Sequence, residues 1–218
     1  MKIITIIKSI KSIKDIRAAL WRISMKGLSR GPHITRYFMY DYLNNIGEKL
    51  PNRIGDVLSI SQSNKLCEVL NIKPTSLVEA NYPEHNFLSL NFPDESFDFV
   101  ISDQVLEHVE GNPQKAIDES WRVLRPGGIA IHSTCFINPI HAAPNDFWRF
   151  TPDALKLLLR KFSRVLDCSG WGNFEVWLLV RDGLRSDGIP HAKWHPLHRI
   201  AMKNDPEWPI VTWIVAQK

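Results

Sequence analysis

Apolar and polar positions change period several times along the chain, and each change marks an element. Ile3, Ile6, Ile7, Ile10, Ile13 and Leu20 recur at three- and four-residue steps with lysines between them. That pattern predicts a basic amphipathic helix about 20 residues long. Gly27 and Gly31-Pro32 punctuate the chain after it. Residues 33–50 then return to helical spacing, with Phe38, Tyr42 and Leu43 as core candidates. From residue 56 the chain alternates between short apolar runs and helical or turn segments. Runs at 56–60, 76–80, 87–90, 97–101 and 129–134 are continuous rather than alternating, as strands buried on both faces of a parallel sheet are. Further strands are expected at 165–169 and 208–216, the last antiparallel and hairpin-like with the one before it. Residues 174–180 read equally as strand or short helix.

Helix boundaries follow from local chemistry. A crossover helix fits 64–70, and another runs from about Pro113 to Leu124, where Arg125-Pro126-Gly127-Gly128 stops it. Thr151 is placed to cap a third, with Pro152 in its first turn and Asp153 at the positive end, running to about Phe162. The expected architecture is α/β: a doubly wound, mostly parallel seven-stranded sheet (residues 33–218) preceded by a helical arm (residues 1–32).

Composition changes this picture in one respect. The 218 residues carry a net charge of +4, but residues 1–36 hold nine Lys or Arg against the single acid Asp15. The arm is therefore basic and the remainder slightly acidic. Three readings of the arm follow: packing on the domain or on a second copy, lying on an anionic membrane surface, or an unpaired arm. No nucleic-acid-binding signature accompanies the charge, so no nucleic-acid partner is expected. The absence of an apolar run of about 18 residues predicts no spanning helix, and the lysines that break up the first residues argue against a secretion signal. Cys67, Cys135 and Cys168 have neither disulfide nor zinc spacing, which fits a reducing, cytoplasmic setting and no metal. His191, His195 and His198 stand in an irregular stretch at 181–198 that suggests a mobile lid or substrate loop.

Candidate chemistry gathers where the predicted strands end. Ser102-Asp103-Gln104 follows one strand, and a loop rich in His, Asp, Trp and Arg, residues 135–151, follows the next. Open α/β sheets bind ligands at that edge. The succession Phe97-Asp98-Phe99-Val100, Leu106-Glu107-His108 and Arg122-Val123-Leu124-Arg125-Pro126-Gly127-Gly128 resembles the class I S-adenosylmethionine-dependent methyltransferases of the type 11 group. The loop His141 to Thr151 is similar to that of sugar- and polysaccharide-associated members. The resemblance implies an S-adenosylmethionine site made by Ile60, Ser61 and Gln62 after the first strand, Glu79 and Ala80 ending the second, Ser89 and Leu90, and Asp103, Gln104 and His108. Glu79 would take the ribose hydroxyls and Ser89 the adenine amino group; Arg36 and Tyr37 could close over the cofactor, though packing for Tyr37 and a surface position for Arg36 is the favoured reading. The first loop departs from the family's glycine-rich pattern, since Ser61 and Ser63 stand where glycines are usual. Any position there with φ > 0 then carries strain. His141 is the candidate general base, Asp146 its orienting partner, and Trp148 and Arg149 candidate acceptor contacts; Arg149 paired with Asp146 as a loop brace is the equal alternative. Two functions remain open at this point: a methyltransferase acting on a small or glycan-type hydroxyl, and a catalytically degenerate protein of the same fold that binds or scaffolds a partner.

Overall fold

The computed structural model describes residues 12–141 and 145–218; the expected helical turns at 1–11 lie outside them. In chain order the elements are α1 (Ile13–Ser24), β1 (Arg30–His33), α2 (Ile34–Gly47), β2 (Ile54–Ile60), α3 (Lys65–Val69), β3 (Lys73–Ala80), β4 (Phe97–Asp103), α4 (Pro113–Val123) and β5 (Leu124–Cys135). They continue with α5 (Pro152–Leu158), β6 (Arg164–Trp171), α6 (Phe174–Leu179), β7 (Gly188–Pro190), α7 (Pro196–Met202) and β8 (Val211–Gln217). A 3₁₀ turn at Leu106–His108 follows β4, and a π turn at Val180–Leu184 follows α6. The chain forms two compact units, one of residues 40–170 with 211–218, the other of the chain up to 39 with 171–210.

The larger unit is built on a six-stranded sheet in the order β3-β2-β4-β5-β8-β6. β2 runs parallel to β3 and β4, β4 parallel to β5, and β8 antiparallel to β5. The mostly parallel α/β sheet is as expected, with two corrections. Residues 87–90 form no strand, so the main sheet has six strands rather than seven. Side chains take the backbone groups a ladder would use: Leu90 N–H donates to Glu119 Oε2 at 2.7 Å, and Arg122 donates to the carbonyls of Leu90 (2.9 Å) and Phe92 (2.8 Å). The last strand does lie beside β6, as expected, but residues 172–210 intervene in place of a hairpin turn. β8 is inserted between β5 and β6, and its first six residues, apolar but for Thr212, are buried, as an interior strand requires.

Local sequence explains the helices of this unit. Asn112 caps α4 by accepting from Gln114 N–H at 3.0 Å, with Pro113 in the first turn. Thr151 caps α5 through Ala154 N–H at 3.1 Å. α5 ends at Leu158, earlier than expected. The core joins Leu58, Ile60, Val100, Leu106, Ile117, Val123, Leu124, Ala130 and Ile214. Each large apolar side chain so buried contributes about 1.5–3 kcal/mol. At the end of the sheet away from Asp103, Arg125 donates to Asp98 (2.6 Å) and Asp56 (2.9 Å) and so ties β4 to β2. Hydrogen bonds from Thr75, Ser76 and Arg125 hold the Asp56 carboxyl down to about 2. Gly127 turns the chain there at φ 78°, a conformation that favours glycine.

The smaller unit packs α1 through Arg17, whose guanidinium meets Asp182 at 2.7 Å, and Arg22, which meets Asp187 at 2.9 Å. β1 and β7 form an antiparallel pair. Residues 174–180 are mainly helix α6, capped by Asn173, which accepts from Val176 N–H at 2.8 Å. Residues 181–198, expected as irregular chain, instead contain most of the π turn, β7 and the start of α7. Their histidines hold structure: buried His195 accepts from Leu197 N–H at 3.2 Å and caps α7, while His198 lies 3.0 Å and His191 3.4 Å from the Tyr37 hydroxyl.

Candidate active site

Three strand ends of the larger unit converge on one edge of the sheet. β2 stops at Ile60, and the next two residues, Ser61 (φ 52°) and Gln62 (φ 60°), both adopt the left-handed conformation. Such backbone costs an L-residue about 1–2 kcal/mol. The serines do what glycines could not. Ser63 Oγ donates to the Ile60 carbonyl at 2.5 Å and accepts from Asp103 N–H at 2.8 Å, fastening the end of β2 to the end of β4. Ser61 N–H donates to Ala80 O at 3.0 Å, which draws in the end of β3.

β4 ends at Asp103, whose carboxylate accepts from Tyr40 Oη at 2.5 Å and from Ser133 Oγ at 2.7 Å. Gln104 follows at φ 56°, its N–H donating to Ser133 O at 2.9 Å. Among the described residues, three side chains at this edge keep polar atoms buried with no protein partner: both oxygens of Glu79 on β3, Nε2 of Gln104 and Nδ1 of His85. Buried polar groups are nearly always paired, so an orphan carboxylate and an orphan amide mark where a polar ligand belongs.

A pocket of about 390 Å³ opens beside them. Its walls are Ile60 and Ser61, the loop residues Tyr82, His85, Asn86, Phe87 and Leu88, then Asp103 to Val105, His108 to Glu110, and Asn145 with Phe147. Of the ten residues assigned to the cofactor from the sequence, Ile60, Ser61, Asp103, Gln104 and His108 line it. Gln62, Glu79, Ala80, Ser89 and Leu90 do not. Ser89 is exposed, and the neighbouring wall is made by Phe87 and Leu88 instead. Tyr37 is buried in the smaller unit, its ring 5.9 Å from that of His191, and Arg36 stands 3.0 Å from His33. Tyr40, not singled out in the sequence, is the α2 residue that reaches the strand ends. One further helical turn of the aromatic run Tyr37-Phe38-Met39-Tyr40 was the available signal.

The loop after β5 brings the second group together. The His141 ring stands edge-on to that of His108, centroids 4.9 Å apart, so it adjoins the pocket wall. His141 Nδ1 lies 3.1 Å from Asp146 Oδ2, and the same oxygen accepts from the His141 N–H at 2.9 Å. Arg149 forms a two-point pair with Asp146, one arm at 2.6 Å, and its hydrogen bonds hold that carboxyl well below the usual carboxylate range. Arg149 also donates to the Trp148 carbonyl at 2.8 Å. The guanidinium is thus paired with Asp146, the contact on which the loop-brace reading rests. Trp148 donates from Nε1 to Val109 O at 2.9 Å.

Beneath this loop lies a buried set that the sequence did not single out. Glu107 is fully buried and accepts from Thr134 Oγ1 at 2.8 Å; its other oxygen has no partner within hydrogen-bond geometry among the described residues. Burial pushes its carboxyl up, and burial pushes the neighbouring Cys135 thiol up to about 12. Glu107, Cys135 and His141 offer ligand-type atoms within 4.8 Å of one another, the group of this kind found among the described residues. Burial disfavours the charged form of both the carboxyl and the thiol.

Comparison with known proteins agrees with this geometry. Residues 45–132 match a family model described as a methyltransferase domain. A 62-residue stretch is 42% identical to a probable S-adenosylmethionine-dependent methyltransferase of Mycolicibacterium smegmatis. That stretch is 26% of this chain and 24% of the relative, so the match spans about a quarter of the relative's length. Among solved structures, an S-adenosylmethionine-dependent methyltransferase from Mesorhizobium loti superposes with a TM-score of 0.53 at 12% identity, over 80% of this chain and 96% of that one. The [4+2]-cyclase SpnF gives 0.53 at 15% identity, over 82% and 81%. At such identities the likeness is one of fold, and SpnF carries a different reaction name on it.

Proposed function

We propose that this chain, which carries a methyltransferase domain over residues 45–132 on the class I fold, acts as an S-adenosylmethionine-dependent methyltransferase and directs the methyl group to a hydroxyl of a small-molecule or glycan-type acceptor. The observation that carries the acceptor class is the His141–Asp146 pair standing against His108 at the pocket wall. A hydroxyl is a poor nucleophile at neutral pH and needs a base as it attacks. Imidazole suits that task, and a carboxylate on Nδ1 fixes its tautomer so that Nε2 receives the proton.

The residues present fit the cofactor. The orphan carboxylate of Glu79 ends the second strand of the sheet, where it can accept from two vicinal ribose hydroxyls, and the orphan Nε2 of Gln104 offers a donor at the switch between strand ends. Bound S-adenosylmethionine supplies an electrophilic methyl on a sulfonium. The protein's part is to hold the acceptor oxygen in line, to take its proton on His141, and to keep that histidine oriented through Asp146, itself clamped by Arg149. The apolar wall of Phe87, Leu88 and Val109 shelters the site from water.

Titration calorimetry with S-adenosylmethionine tests the cofactor, with binding expected in the micromolar range (about −8 kcal/mol). No heat from folded protein at millimolar ligand would remove the methyltransferase reading and leave a binding or scaffolding role. Given binding, His141→Ala should leave the affinity within about twofold and lower kcat by about 10²-fold or more. Unchanged turnover in that variant would take His141 out of the reaction.

A further inference from the structure

Helix α1 carries its four large aliphatic side chains on the face turned away from its own unit. Ile13, Ile16, Leu20 and Ile23 are 73%, 44%, 61% and 55% exposed, while Ala18 and Met25 are buried. Steps of three, four and three residues put the four on one stripe. The opposite side of the helix holds it in place, through Ala18 and Met25 and through Arg22, which reaches Asp187 and donates to the Gly183 carbonyl at 2.8 Å. An exposed stripe of this kind is not needed for the helix to pack. Beside it, the Trp194 ring is 65% exposed and lies 5.7 Å from His195, whose other neighbour is Trp21 of α1 at 6.4 Å. Lys14, Lys26 and Arg30 are exposed around the same helix.

We propose that α1 is a lipid-docking helix, which lays the Ile13–Ile16–Leu20–Ile23 stripe into the surface of an anionic membrane with Trp194 at the headgroup level. Charge selects this occupant. Arg17 and Arg22 are spent on Asp182 and Asp187, but exposed Lys14, Lys26 and Arg30 around the helix would repel a second copy brought stripe to stripe, whereas an anionic leaflet supplies the opposite charge next to an apolar layer. An amphipathic ring such as Trp194 is suited to that boundary. No helix among the described residues is long and apolar enough to cross a membrane, so the contact is with one surface.

The test is co-sedimentation of the full chain with sucrose-loaded vesicles of phosphatidylcholine alone or with about 30% phosphatidylglycerol. Wild type should pellet with the anionic vesicles and be released by high salt. Ile16→Asp/Leu20→Asp should partition about tenfold less or worse, with an unchanged melting temperature because both positions are exposed. Ile54→Asp, at a 57% exposed site of the other unit, should behave as wild type. Absence of wild-type pelleting on anionic vesicles, or equal pelleting of the α1 variant, overturns the proposal. So does a dimer, seen by light scattering, that the same variant abolishes without any vesicle binding in wild type; the stripe would then belong to a second copy.

Discussion

Two residues in the turn after β2 adopt a backbone that L-amino acids avoid, and they do so at the wall of the candidate pocket. The strain at Ser61 and Gln62 is offset in part by the Ser63 hydroxyl, which bridges Ile60 to Asp103. Gln62 is exposed, and only its conformation is at stake. Gln62→Gly should therefore stabilise the protein by about 0.5–1 kcal/mol and raise Tm by roughly 2–3 °C. A fall in Tm on thermal denaturation would mean that the side chain contributes more than its backbone costs. A second single-residue effect is set by His132, fully buried on β5, with Nδ1 2.8 Å from Ser102 Oγ and Nε2 without a partner. Burial lowers its pKa to about 3. The folded state rejects a proton that the unfolded chain takes near pH 6.5, so this stability is complete above pH 6.5 and drains away as pH falls towards 3. Between pH 6.5 and 5 the loss is about 2 kcal/mol. Urea denaturation at pH 7.5 and 5 should show that loss in wild type and not in His132→Asn. Glu107, whose raised pKa acts in the opposite sense, is common to both proteins and cancels in the comparison. Equal acid sensitivity would place the effect elsewhere.

At the scale of elements, the sequence was most legible where one local rule decided the outcome. Continuous apolar runs marked β2, β4 and β5, and the Thr151 cap with Pro152 marked the start of α5. It was least legible at 87–90 and 181–198, where partners distant in the chain decide. A largely apolar tetrapeptide such as Phe87-Leu88-Ser89-Leu90 matches a strand by composition, and the Glu119–Arg122 clamp together with the bonds from Leu88 and Ser89 to Asn86 makes it a loop. The same limit applied to the site. Asp103, Gln104 and His108 sit in or beside a motif and line the pocket, while Tyr40 and the pocket wall at Phe87 and Leu88 depend on packing that no motif records. Arg122 is the residue on which that loop turns, since it meets Glu119, Asp94 and the carbonyls of Leu90 and Phe92 at 2.7–2.9 Å. Arg122→Ala should cost about 2–3 kcal/mol, because two carbonyls and two carboxylates lose their donor. Hydrogen exchange should quicken selectively at the Leu90 amide, and pocket affinity for S-adenosylmethionine should fall with it. Exchange that rises evenly over the whole sheet would instead indicate general destabilisation.

For the whole molecule, chain order matters more than element count. The chain leaves the smaller unit for the larger one at about residue 40, returns at Trp171, and completes the sheet only with its last eight residues. β8 is thus the last strand to be made and stands at an interior position, pairing with β5 from Ile129↔Gln217 to Cys135↔Val211. Without it β5 would expose a row of unpaired N–H and C=O groups and one edge of the apolar core, including the surface that Trp213 and Ile214 cover. Folding of the sheet therefore waits on the C-terminus, in contrast to an arrangement whose final strand lies at an edge. A chain ending at Ile210 should fail to give a cooperative unfolding transition and should bind a hydrophobic dye, whereas the full chain, compared by calorimetry at equal concentration, should unfold in one sharp transition. A sharp transition in the 1–210 chain would show that β5 and β6 close the sheet between themselves, and that the pocket edge is formed before the last strand arrives.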